Sequence, residues 1–182
     1  MPKRGRPTAA ERAERDDRVL AAATEHFLAS GFAGTSLDAV AAAAGVTKRT
    51  IYTTFTDKAG LLAAVVRRQH TYSTTTGGDL LDTATGIVTT LLADDAIALH
   101  RLVLAEAIRF PDLARGFHDA GPGSAQAALV ASGVDPDDAA DVFTLLLGEH
   151  HRRRLLGLEG APTAAAARDH AVRVLARFGP GD

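Results

Sequence analysis

Apolar residues recur at spacings of three and four along most of the chain, the period of helices that bury one face. Leu20, Ala23, Phe27 and Leu28 form such a stripe within a helix expected over Ala9–Ser30, behind a charged stretch running from Glu11 to Arg18. Gly31 should stop that helix, with Phe32 packing just beyond it. Thr35 or Ser36 suits the N-cap of a short helix, Leu37–Ala44. Gly45 breaks it and Val46 restarts the apolar pattern. Thr47 can cap a third helix reaching Thr53, and Thr56 or Asp57 a fourth that begins at Lys58 and runs towards Tyr72. After Gly77-Gly78, helical patterns follow over 79–93, 95–109, 112–131, 136–157 and 163–178, punctuated by Asp, Gly and Pro. The pattern predicts nine helices and no strand.

Composition agrees with an all-α fold. There are 37 alanines and 21 leucines against 12 valines and 4 isoleucines. The absence of cysteine excludes disulfide scaffolds, thiolate metal sites and Cys nucleophiles. No stretch approaches the roughly 18 uncharged apolar residues of a membrane span, and the basic start is not backed by the apolar run of a secretory signal. A cytoplasmic protein without a membrane partner is expected. The net charge of −2 divides unevenly: residues 1–70 carry 11 Lys/Arg against 7 Asp/Glu, and residues 71–182 carry 9 against 15. A basic head on an acidic body suits a chain that presents one end to a polyanion.

Within the head, Leu37–Thr54 fits a helix-turn-helix register. Ala41 is small where two helices must approach, Gly45 tolerates the backbone of the turn, and Val46 and Ile51 lock the second helix onto the first. Between them Thr47, Lys48, Arg49 and Thr50 project from a helix N-terminus, the end that a recognition helix offers to base edges and phosphates. Arg49 is the strongest candidate for reading sequence, because guanidinium to guanine is the commonest specific contact.

Gly31-Phe32, Thr35-Ser36 and the run Val46-Thr47-Lys48-Arg49-Thr50-Ile51-Tyr52-Thr53-Thr54-Phe55-Thr56-Asp57-Lys58 closely resemble the DNA-binding region of TetR-family regulators. The resemblance covers roughly residues 11–62. It implies that Thr47, Lys48, Arg49 and Thr50 read bases or nearby phosphates, and that Tyr52 and Thr53 touch the sugar-phosphate backbone. It also implies that Lys58 meets a phosphate at the start of the fourth helix, and that Ser36 faces the opposite strand. Packing beside Phe55 is the other reading of Tyr52; a cap or solvated surface is the other reading of Ser36 and Thr54. Two positions depart from the family pattern: Ala59, where a Glu often completes a cap, and Thr54, where His is frequent.

Independently of the family, Arg4-Gly5-Arg6-Pro7 is the core of an AT-hook, so Lys3, Arg4 and Arg6 are candidates for minor-groove contact. A solvated tail is the alternative. The expected division is a disordered basic arm over 1–8, a three-helix helix-turn-helix domain over 9–56 and a helical regulatory and dimerisation domain over 57–182.

Residues 101–118 resemble, more loosely, the regulatory domain of one subset of the same family. That resemblance implies a ligand cavity and a four-helix dimer interface built from the last two helices, here about 136–157 and 163–178. Alanines and an almost all-round apolar pattern there favour a homodimer, whose paired recognition helices would read a palindromic double-stranded operator. Candidate liners of a pocket for an unknown small-molecule effector are His70, Tyr72, His100, Arg101, Glu106, Phe110 and Phe143. Glu106 and Arg109 read as an ion pair, and Glu149-His150-His151-Arg152-Arg153-Arg154 as the polar end of a helix. The seven histidines show none of the spacings of a zincin or di-iron bundle, so no metal, cofactor or catalytic set is expected. The resulting expectation is a repressor released from DNA by its effector. The opposing reading is a small all-helical metalloprotein or enzyme that uses those histidines.

Overall fold

In a computed structural model that describes residues 8–69 and 79–178, every regular element is helical. In chain order these are α1 (Ala9–Gly34), α2 (Leu37–Ala44), α3 (Lys48–Phe55), α4 (Lys58–Gln69), α5 (Leu80–Leu91), α6 (Asp94–Glu106), α7 (Pro111–His118), a π turn (Asp119–Gly123), α8 (Ser124–Ala131), α9 (Ala139–Leu155) and α10 (Ala164–Leu175). The run from α7 through the π turn to α8 is unbroken. Counted as one, it brings the helical runs among the described residues to the expected nine. No helix among these residues is long and apolar enough to cross a membrane.

Side-chain caps set most of the early boundaries. Thr8 and Glu11 form a capping box: the Thr8 N–H donates to Glu11 Oε2 at 2.7 Å and the Glu11 N–H to Thr8 Oγ1 at 3.2 Å. Gly31 does not end α1 as expected. It adopts φ 70° and kinks the helix, which resumes as far as Gly34. The buried Thr35 braces the kink by donating its hydroxyl to the carbonyls of His26 (3.0 Å) and Gly31 (2.7 Å). Of the two possible caps for α2, Ser36 is the one used.

Two irregularities depart from the regular helices expected further along. Pro122 cannot donate an amide hydrogen bond, and the helix absorbs this in the π turn. Ser124 Oγ donates to the carbonyls of Ala120 and Gly121 at 2.7 and 2.9 Å, and its N–H also donates to the Gly121 carbonyl, so this residue closes the turn. The second is Gly148, which breaks α9 at φ 40° and ψ −134°, a backbone that only glycine adopts readily. Residues 136–138, expected to open this helix, form a turn before it.

Two apolar cores result. The first gathers Phe27 and Phe32 of α1, Val40 and Ala41 of α2, Ile51 of α3 and Leu61, Leu62, Val65 and Val66 of α4, together with Leu99, Val103 and Leu113. It runs across residue 56, with α4, α6 and α7 packed against the head. The second holds Ile87, Val88 and Leu92 on the α5 side, Leu129 of α8, Val142 and Leu146 of α9 and Ala167, Ala171 and Val174 of α10. Here α10 lies along α5 and α9, with its alanines permitting close approach.

A candidate nucleic-acid interface and the cavity behind it

Ile51 is fully buried and is the fixed point of the interface. Gly45, at φ 66°, ends α2 in the left-handed conformation, its N–H donating to the carbonyls of Ala41 and Ala42. Thr47 then caps α3, accepting from the Thr50 N–H at 3.2 Å, while the two hydroxyls lie 2.9 Å apart. With Ile51 turned inward, Lys48, Arg49, Tyr52 and Thr53 lie on the exposed side of the helix, and Thr50 is half-buried. Tyr52 is 48% exposed, so about half of its surface is open to solvent.

These outward groups are not equally available. The Arg49 guanidinium has no hydrogen bond or ion pair among the described residues. Lys48 Nζ donates to Asp38 Oδ2 of α2 at 2.8 Å, and this hydrogen bond, with the attraction between the two charges, raises the ammonium above its ordinary pKa. Thr53 Oγ1 donates to the Arg49 carbonyl at 2.8 Å, and Ser36 is engaged in capping. Lys58 reaches back to the end of α1: its ammonium donates to the carbonyls of Ala33 (3.2 Å) and Thr35 (3.1 Å) and lies 4.8 Å from the Phe32 ring centroid. Cation and helix C-terminus are complementary there.

The departure at Ala59 leaves α4 firmly started, because Asp57 supplies the cap. Its Oδ1 accepts from the Gly60 N–H at 2.7 Å, and its carbonyl from Leu61. Thr56, between α3 and α4, takes φ 70°, an unusual backbone for a β-branched residue. Lys3, Arg4 and Arg6 lie outside the described residues, as do His70 and Tyr72.

Behind the head, a cavity of about 290 Å³ opens among α5, α6, α7, the π turn and α9. Leu91, Phe117, Pro122, Phe143 and Leu147 form apolar walls, with His100, His151, Thr144 and Gly148 completing the lining. His100 Nδ1 and His151 Nε2 are 3.0 Å apart, and the Phe117 ring lies 4.9 Å from that of His100. Burial holds the His151 imidazole below its ordinary pKa. Of the expected liners, His100 and Phe143 are in place.

The others are occupied elsewhere. Arg101 donates to the carbonyls of Arg154 (2.7 Å) and Leu155 (2.9 Å) at the end of α9. Phe110 packs edge-on against Phe32 in the first core, with ring centroids 5.0 Å apart. Glu106 borders a shallow groove with Phe27 and Leu28. It forms no ion pair with Arg109, whose guanidinium lies over the Phe110 ring.

The polar reading of residues 149–154 also needs correction. His150 and His151 do face different ways, but His151 lines the cavity while His150 bonds Glu159 at 2.8 Å. Arg154 is buried, donating to Asp94 (2.6 Å) and to the carbonyls of Leu92 (3.0 Å) and Glu159 (2.9 Å). Two signals could have found the missed liners: a proline inside a helical pattern at 122, and a glycine one turn before His151. Among the described residues no three His, Cys, Asp or Glu converge as metal ligands.

Residues 19–65 match the family described as bacterial regulatory proteins of the TetR family, and residues 78–178 match the C-terminal domain of AefR-like transcriptional repressors. A stretch of 66 residues, 36% of this chain, is 44% identical to the HTH-type transcriptional regulator SrpR of Pseudomonas putida, and equally to the HTH-type transcriptional regulator TtgW of the same species. The match spans only 31% and 49% of those proteins. Likeness over the whole chain comes from solved structures. The flavonoid-responsive regulator FrrA is 30% identical at a TM-score of 0.66, covering 91% of this chain and 95% of its own. A TetR transcriptional regulator from Agrobacterium tumefaciens is 26% identical at 0.65, covering 90% and 93%. With a family match over residues 78–178, more than half its length, on top of the one in the head, the chain belongs to the TetR family of bacterial transcriptional regulators.

Proposed function

We propose that two copies of this chain form a cytoplasmic repressor that reads a palindromic operator through α3 and leaves it when a small molecule fills the cavity. The observation that carries the reading is α3 itself: Ile51 is wholly buried, while the Arg49 guanidinium is exposed and bonded to none of the described residues. In this reading Arg49 bonds a guanine edge. Lys48 exchanges Asp38 for a phosphate, Thr47 and Thr50 face the groove, and Tyr52, Thr53 and Ser36 meet the backbone. Lys58 has one ammonium hydrogen left for a phosphate after its two carbonyls, and Lys3, Arg4 and Arg6 follow the adjacent minor groove. Dimerisation through α9 and α10 is supported by apolar side chains left exposed there, Leu145 at 36% and Val172 at 48%.

The relay runs through α7. Phe117 lines the cavity, and the neighbouring Gly116 abuts Ala63 of α4, a Cβ at that glycine lying 3.4 Å from the Ala63 Cβ. A ligand that moves α7 therefore presses on α4, which begins beside the recognition helix. Release requires that the ligand favour one arrangement of the two heads over the other. Selection from a random DNA pool tests the reading: it should return a palindrome with half-sites about one helical turn apart. A consensus without twofold symmetry overturns the dimeric part, and the absence of any consensus overturns the whole.

A further inference from the structure

We propose that the cavity takes an uncharged compound of one or two rings bearing a hydroxyl group, and that the coupled imidazoles of His100 and His151 read that hydroxyl. This rests on the reading of the cavity as an effector site. Among the described residues its lining contains no Asp, Glu, Lys or Arg. An ionic ligand would lose its hydration there without meeting a counter-charge, which is costly in an apolar site. The volume of about 290 Å³ lies at the lower limit of pockets for drug-sized ligands, roughly 300–1,000 Å³. Phe117 and Phe143 on the walls favour a ring.

The histidine pair supplies the selectivity. In the neutral pair one hydrogen lies between His100 Nδ1 and His151 Nε2. If His100 donates it, His151 carries its own hydrogen on Nδ1, which is then a donor. If His151 donates it, Nδ1 is left with a lone pair and accepts. Nothing among the described residues bonds to that Nδ1. The pair can therefore present either face to a ligand: when the shared hydrogen passes from His100 to His151, a proton leaves His151 Nδ1 for water and one reaches His100 Nε2 from water, so both rings stay neutral. A hydroxyl both donates and accepts, so it bonds either tautomer, whereas a carbonyl or ether suits only one.

Calorimetric titration of the full chain with four probes of one shape tests this: 2-naphthol, naphthalene, 2-naphthoate and 2-naphthylmethylamine, the last a cation at neutral pH. The expected order places 2-naphthol first, naphthalene about tenfold weaker, the worth of one hydrogen bond, and both ions weaker still. H151F should bring the naphthol-to-naphthalene ratio close to one while retaining naphthalene, and H151Q, which keeps a donor and an acceptor, should preserve the preference. Thermal unfolding checks that each variant folds; if H151F does not, H100F breaks the same pair from α6 and decides. Tighter binding of either ion, an unchanged ratio in the Phe variant, or no binding of any probe overturns the proposal. Operator release is followed separately by fluorescence anisotropy. Preferred binding of 2-naphthol without release leaves the ligand class standing and removes release by effector. Release by the probes without a preference for the hydroxyl does the reverse.

Discussion

The head and the body of this protein are built from the same short helices, yet they differ in where their helix interruptions lie. In the head, side chains close almost every exposed turn of backbone: Ser36, Thr47 and Asp57 cap α2, α3 and α4, and Thr35 and Lys58 bind the carbonyls at the kinked end of α1. In the body, the π turn of residues 119–123 and the break at Gly148 both border the cavity. Closed ends around a solid core hold a reading surface in one geometry. Interrupted helices around a cavity leave room for a second packing, which a ligand-responsive element needs.

The largest expected effect comes from truncating each region at its centre. Ile51→Ala removes a wholly buried side chain from the solid core and should cost about 2–5 kcal/mol in urea unfolding. Leu147→Ala, on a wall with the cavity already on one side, should cost less, because fewer contacts are lost. Equal costs would mean that the body is packed as tightly as the head, and the contrast would fail.

Next in size is the reading surface itself. Arg49→Ala should lower discrimination between the selected operator and single-base variants by about 1–3 kcal/mol, leaving the unfolding midpoint within error because the guanidinium bonds to none of the described residues. An unchanged preference in competition binding would remove Arg49 from the role of base reader.

The two regions also differed in how far sequence could take the reading. The head was legible because its signals are local. A cap, a glycine and an apolar residue at fixed separations dictate α2, the turn and α3, so Ser36, Gly45, Thr47 and Ile51 fall where the pattern puts them. The kink at Gly31 was not legible, because the Thr35 hydroxyl holds it by bonding both the Gly31 carbonyl and, nine residues back from Thr35, that of His26. The cavity was only partly legible. His100 and His151 come together across fifty-one positions of sequence, and Arg101 and Phe110 were drawn off by partners that no spacing reveals. Arg154 makes the same point: a cation in a basic run reads as solvated surface, yet it is buried where three acceptors converge.

A smaller effect is expected at the rim of the reading surface. Asp38→Asn frees Lys48 from its ion pair and removes a negative charge beside the proposed reading surface. Affinity for non-specific DNA should rise modestly at low salt, with the gain fading as salt screens it. Lower affinity would mean that Asp38 positions Lys48 for contact rather than competing for it.

The smallest expected effect is a dependence on pH that belongs to the body alone. His151 is held below its ordinary value of 6.5 by burial, and among the described residues the titratable group bonded to it is His100 of α6. As pH falls through 6.5, the unfolded chain takes up a proton at this residue that the folded chain resists, so stability declines from there down to the folded pKa and then levels. Above 6.5 the residue adds no slope. Glu159 acts in a lower window: its hydrogen bond from His150 holds the carboxyl below its ordinary 4.5, and that contribution is lost only at more acid pH. Urea unfolding between pH 7.5 and 5.5 lies above the Glu159 window, and H151Q should flatten the curve in that range while R49A leaves it unchanged. A slope that persists in H151Q would place the proton elsewhere, and the cavity would lose its claim to hold a neutral pair. Half-buried as it is, His151 is partly screened by water, so the slope should be shallow. Filling the cavity with a neutral ligand should steepen it, since the bound molecule excludes that water and makes protonation of the pair costlier still.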